Sequence, residues 1–93
     1  MRPALVVSTS RYNRISRDVI VMKITSRKQK LIEVSLKNDD LLAGSLDHPS
    51  YIQADGIYAL EIERIFTSIG TVRPEKMQEI RNLILDLLFP DGE

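Results

Sequence analysis

The chain has 93 residues, equal numbers of acidic and basic side chains, 43% hydrophobic content and no cysteine. That length suits one small domain spanning 1–93 with a mainly aliphatic core, and the lack of cysteine excludes disulfides and thiolate metal sites. No stretch approaches the roughly 20 apolar residues of a membrane span. Polar residues from Ser8 to Arg11 also cut the first apolar run too short for a secretory signal, so a cytoplasmic protein without membrane contact is expected.

The elements read as follows in chain order. Residues 4–8 form a short apolar strand, and 9–18 a polar, basic loop. Residues 19–25 are β-branched and nearly continuous in apolar side chains, which predicts a second strand. Residues 27–30 are a charged turn. In 31–36, Ile32, Val34 and Leu36 alternate with Glu33 and Ser35, the period of a half-exposed strand. Residues 37–49 hold Asn38-Asp39-Asp40, Gly44 and Pro49 and read mostly as loop, with Leu41, Leu42 and Leu46 fixing it to the core.

Residues 50–54 make a short strand that Asp55-Gly56 should end as a turn, and 57–60 another short extended piece. Alternation over 62–69 predicts a strand closed by Gly70. Pro74 at a first helical position opens a C-terminal helix. Its apolar stripe is Met77, Ile80, Ile84, Leu87 and Leu88, widened by Leu83, and Pro90 and Gly92 stop it. Arg73 before it offers no acceptor to the free N–H groups and is a poor N-cap. Short strands followed by one helix predict a mainly β, α+β fold: a small barrel or curled sheet packed by the terminal helix.

Charge is unevenly placed. Residues 1–30 carry eight basic side chains against Asp18 alone, a net +7, and the remainder carries −7. A polyanion-facing end is one reading; halves that interleave and cancel are the other. If the first two strands share a sheet, Arg2 can approach Thr25 and Ser26, and a cation beside hydroxyls is a place to hold a phosphate. Arg11, Arg14 and Arg17 around Tyr12-Asn13 can grip phosphates while Tyr12 stacks on a base; a solvated loop is the bland alternative. The candidates for RNA contact are Arg11, Tyr12, Asn13, Arg14 and Arg27. His48 is the single histidine, which excludes a two-histidine ribonuclease mechanism within one subunit. It reads as a loop residue rather than a partner for Ser50. Asn38-Asp39-Asp40 with Asp47 lacks calcium-loop spacing and reads as a solvated acidic loop. No metal and no cofactor is expected.

Several runs carry a family resemblance. Arg2-Pro3-Ala4-Leu5-Val6-Val7-Ser8, Tyr12-Asn13, Val19-Ile20-Val21 and Ile24-Thr25-Ser26 resemble the core of the PemK/MazF toxins. The likeness resumes at Pro49-Ser50-Tyr51-Ile52, Ala54-Asp55, Ile69-Gly70-Thr71-Val72 and Pro74-Glu75-Lys76-Met77. It implies an SH3-like β-barrel with a terminal helix, a homodimer, and an mRNA interferase that cuts single-stranded RNA without a metal and is blocked by a cognate antitoxin. The family's catalytic arginine falls on Arg2 and its threonine on Thr25, with Ser26 beside it.

The chain departs from the family pattern in two places. Members carry a Gly-Asp-Val-like strand and loop before the Arg-Pro motif, and no counterpart precedes Arg2 here, so the barrel is expected to be incomplete with a sheet edge exposed. Gly56 and Tyr58 stand where many members have longer polar or basic side chains. The alternative readings are a shortened, non-catalytic member that binds RNA or an antitoxin, and an interaction domain whose open sheet edge accepts a strand or helix.

Overall fold

The structure, a computed structural model, describes residues 2–28 and 32–90. Four strands form an antiparallel sheet: β1 (Ala4–Val6), β2 (Asp18–Thr25), β5 (Ser50–Glu61) and β3 (Glu33–Leu36), in the order β1-β2-β5-β3. A second, two-stranded ribbon pairs β4 (Leu41–Gly44) with β6 (Gly70–Val72). Helix α1 (Ser10–Ser16) joins β1 to β2, and α2 (Pro74–Leu88) ends the described fold. The architecture is the expected mainly β one with a C-terminal helix, its curled sheet forming half of a barrel. Among the described residues no helix is long and apolar enough to cross a membrane. Lys30 and Leu31, assigned from the sequence to a turn and to the start of a strand, lie outside the described residues, as does Gly92.

Strand alternation builds the core. Met22 of β2, Val34 and Leu36 of β3, and Ile52 and Ala54 of β5 cluster with Leu5, Leu41 and Ile80. Ile24, Ile57, Met77, Leu83, Ile84 and Leu87 pack around them. Ile52 has no exposed surface, and burying a side chain of that size contributes about 1.5–3 kcal/mol. The helix stripe predicted from the sequence meets this cluster except at its end, where Leu88 is exposed.

Four segments differ from the sequence-based expectation. Within residues 9–18, expected as a loop, Asp18 opens β2 and Ser10–Ser16 form a helix. Thr9 caps it, its hydroxyl accepting the Tyr12 N–H at 3.1 Å, and Arg17 ends it in the left-handed region at φ 62°. The helix carries no apolar stripe and no acidic first turn, so periodicity is silent; the signal was Thr9 in the N-cap position.

Asp55-Gly56 does not end a strand. Met22 faces Ile57 and Ile24 faces Ile52, so β2 contributes only Lys23 where β5 contributes Gln53, Ala54, Asp55 and Gly56. The dipeptide is a bulge that bends one long strand. A Cβ on Gly56 would lie 3.3 Å from side-chain atoms of Gln53 and Lys23, so the bend leaves little room for a larger residue.

Residues 37–49 contain a 3₁₀ turn, Asn38–Asp40, and β4. The Asp40 carboxylate accepts the Lys37 N–H at 2.9 Å. Gly44 sits at φ 81°, and a Cβ there would meet the Ile69 carbonyl oxygen at 2.1 Å, so β4 and β6 pair this closely only with glycine.

Residues 62–69 are not a strand. The Ile62 N–H bonds the Arg17 carbonyl at 3.1 Å, and the chain turns through a 3₁₀ segment, Ile62–Arg64. The ladder of β5 therefore stops at Glu61, and Ile62, Ile65, Phe66 and Ile69 are left exposed. Arg73 provides no side-chain cap to α2, as expected. Its Nε instead donates to the Asp39 carbonyl at 2.9 Å, and Lys76 sits between Asp40 and Glu79, which latches the helix start to the 3₁₀ turn.

Candidate functional site

Register decides which polar side chains meet. Ala4 pairs with Lys23, Leu5 with Met22 and Val6 with Val21. Continuing that antiparallel register back along the chain sets Arg2 across from Thr25. Thr25 in turn pairs with Tyr51 of β5, and Tyr51 with Ser35 of β3. Leu5, Met22, Ile24, Ile52, Val34 and Leu36 face the core, so their alternating neighbours face outward. Thr25, Tyr51 and Ser35 therefore form one outward row across β2, β5 and β3, each about 4.7–4.9 Å from the next strand, and Arg2, two residues before β1, falls in line with it when the β1–β2 register is extended.

The row is chemically varied. Arg2 is exposed, Thr25 and Tyr51 are half-buried, and Ser35 is exposed. Thr25 Oγ1 accepts the Arg27 N–H at 3.2 Å. This local turn ends β2 and occupies one lone pair of the hydroxyl, while its O–H remains a donor. Ser26, Arg27 and Lys28 follow in the open. Lys23 also faces outward, one pair along from Thr25. Its neighbour across the bulge, Gln53, is buried and donates through Nε2 to Glu33 at 3.4 Å. The pairing of β1 with β2 supposed from the sequence is thus present, and Lys23, Thr25 and Arg27 lie at the same end of β2.

The other candidates lie elsewhere. Helix α1 meets β2 at its opposite end, and roughly 23 Å separates Asp18 from Thr25 at ~3.3 Å per strand residue. Arg11, Tyr12 and Arg14 are exposed on that helix. Asn13 is half-buried, and its Oδ1 accepts the Ser8 hydroxyl, whose oxygen takes the Ile20 N–H at 2.9 Å. Ser16 likewise donates to the Tyr12 carbonyl and accepts the Asp18 N–H. Asn13 is therefore occupied in holding α1 against β2. Arg27, by contrast, belongs to the Thr25 end. The sequence grouped all five RNA candidates without distance; the fold divides them between two ends of one strand.

His48 lies in a recess of about 280 Å³ with Lys37, Asn38, Asp39, Leu46 and Asp47. Its backbone carbonyl, not its ring, accepts the Ser50 hydroxyl at 3.0 Å, so no histidine-activated serine is formed. Sequence reasoning did not single out Tyr51 or Ser35. Their alternation with Ile52 and Leu36 was visible, but their alignment with Thr25 depends on strand order.

The comparisons with known proteins agree with the resemblance read from the sequence. A family model of the PemK-like, MazF-like toxin of type II toxin-antitoxin systems matches residues 1–88. Among solved structures, the chain is similar to an endoribonuclease from a mycobacterial species, at 25% identity and a TM-score of 0.79 over 99% of this chain and 84% of that one. It is similar to a mycobacterial endoribonuclease in complex with its cognate antitoxin, at 26% identity and a TM-score of 0.79 over 96% and 82% of the two chains. A MazE-MazF structure from Deinococcus radiodurans matches at 27% identity and a TM-score of 0.74 over 95% and 81%. No curated protein matches.

Proposed function

The chain belongs to the PemK-like, MazF-like toxins of type II toxin-antitoxin systems, and from that premise we propose that it is the toxin component, a cytoplasmic, sequence-specific endoribonuclease that cuts single-stranded mRNA without a metal. The observation that supports the reading is the β1–β2 register, with Ala4 opposite Lys23; extended by two residues it sets Arg2 opposite Thr25. In the reaction the 2′-OH of RNA attacks the adjacent phosphate. A new P–O bond closes a 2′,3′-cyclic phosphate, and the bond to the 5′ oxygen breaks to leave a 5′-OH. Catalysis requires stabilising the negative charge that builds on the phosphoryl oxygens. The planar fork of Arg2 serves that task. The O–H of Thr25, with Ser26 beside it, orients the same phosphate. Arg27 beside them, and Arg11, Tyr12 and Arg14 at the far end of β2, hold flanking nucleotides.

The partners in this reading are single-stranded RNA, a cognate antitoxin and a second copy of the chain. Ile62, Ile65, Phe66 and Ile69, together with Leu85, Leu88 and Phe89, form exposed apolar surface of the kind that protein partners cover. The test is direct. Purified protein incubated with single-stranded RNA in EDTA yields fragments ending in 2′,3′-cyclic phosphate. Intact RNA with folded protein overturns the nuclease reading.

One observation favours a second reading. Arg2 precedes the first strand and is exposed, whereas a catalytic group needs placement within about 0.5 Å. A non-catalytic member would bind RNA or the antitoxin in a salt-sensitive way and release no products.

A further inference from the structure

Tyr51 stands at the centre of the outward row, between Thr25 on one strand and Ser35 on the other. Both neighbours are small, so neither hydroxyl side chain reaches over an aromatic ring at a strand spacing of about 4.8 Å. Tyr51 is half-buried, so part of its side chain is open to solvent. Along β5, Ser50 and Ile52 turn to the buried side and Gln53, the next outward residue, is buried against Glu33. Tyr51 is thus a partly exposed aromatic side chain one strand away from Thr25 and, on the extended β1–β2 register, two from Arg2.

We propose that Tyr51 is the stacking platform for the nucleobase next to the phosphate held by Arg2 and Thr25. The inference rests on the functional reading above and adds to it a physical reason for the substrate class. A base inside a duplex has both faces covered by its neighbours, whereas an unstacked base offers one to an aromatic ring. Stacking here therefore selects single strands. It is tolerant of base identity, because every base has a π-face. Ser35, on the far side of the ring, supplies a hydroxyl that can donate or accept at the base edge.

The test uses binding rather than cutting. A short oligoribonucleotide with 2′-O-methyl sugars has no attacking hydroxyl and remains intact. Tyr51→Phe keeps the ring and binds it within about two-fold of the unmodified chain, whereas Tyr51→Leu keeps apolar bulk without a π-face and binds at least ~10-fold more weakly. The same sequence presented as a duplex gains nothing from the ring. Equal affinities for Tyr51→Leu and the unmodified chain overturn the proposal, as does a loss in Tyr51→Phe as large as that in Tyr51→Leu.

If Tyr51→Leu fails to fold, Tyr51→Trp decides the matter. The chain contains no tryptophan, so indole emission reports on that position alone. Stacking predicts strong quenching at saturating RNA, and unchanged emission while RNA is bound overturns stacking but leaves the functional reading standing. An unmodified chain that binds no single-stranded RNA at low salt overturns both.

Discussion

The two ends of β2 are built on different terms. At the α1 end, side-chain oxygens hold the backbone together: Thr9 caps the helix, Ser8 takes the Ile20 N–H and bonds Asn13, Ser16 takes the Asp18 N–H, and the Arg17 carbonyl receives Ile62. At the Thr25 end, alignment comes from strand register, and Thr25 Oγ1 receives only the N–H of Arg27 among the bonds described. The lesson is that similar polar residues have different fates. Those near α1 are occupied by architecture, while those in the outward row keep donors and a ring surface for a ligand. Asn13 and Arg2 were both site candidates, and the first is bonded to Ser8 within the architecture while the second is exposed ahead of β1.

This contrast predicts that substitutions at one end change chemistry and at the other change stability. The largest effect is expected for Arg2→Ala. Removing a donor that stabilises developing charge lowers the cutting rate about 10²–10³-fold, while the melting temperature stays put because Arg2 is exposed and precedes the sheet. A loss of stability equal to the loss of cutting would break the comparison. Arg2→Lys keeps charge but not the fork, and should recover only part of the rate.

Ser8→Ala comes next, at the opposite end. It leaves the half-buried Ile20 N–H without its acceptor and should cost about 1–3 kcal/mol in chemical denaturation, with cutting per folded molecule unchanged. Thr9→Ala removes the helix cap and should cost about 1 kcal/mol by the same measurement. The smallest effect is a change of slope. Replacing Arg11 and Arg14 together by Gln should reduce the dependence of log Kobs on log salt by about 1.4, the contribution of two phosphate contacts on a single strand. An unchanged slope would remove α1 from the RNA path and confine the site to the Thr25 end.

Much of this fold was legible. Alternation marked Ile32, Val34 and Leu36, and a helical stripe marked Met77, Ile80, Ile84 and Leu87, because burial on one face imposes a period that a sequence displays. What periodicity misread has common causes. Helix α1 has no buried face, so only its cap betrayed it. Asp55-Gly56 carries the chemistry of a turn, yet pairing with β2 before it at Ile52 and after it at Ile57 kept β5 extended through a bulge. The alternation over 62–69 looked like a strand, but a backbone bond from Ile62 to Arg17 turned the chain away from the sheet and left those side chains exposed.

The candidate site divides in the same way. That Arg2, Thr25 and Ser26 carry phosphate-binding chemistry follows from residue types and from the family likeness, since a guanidinium and hydroxyls have that capacity wherever they stand. The alignment of Thr25 with Tyr51 and Ser35 came only with strand order and register. Hydrogen bonds between strands join residues far apart in the chain, so local sequence sets which way each side chain faces, and the assembled sheet sets what it faces beside.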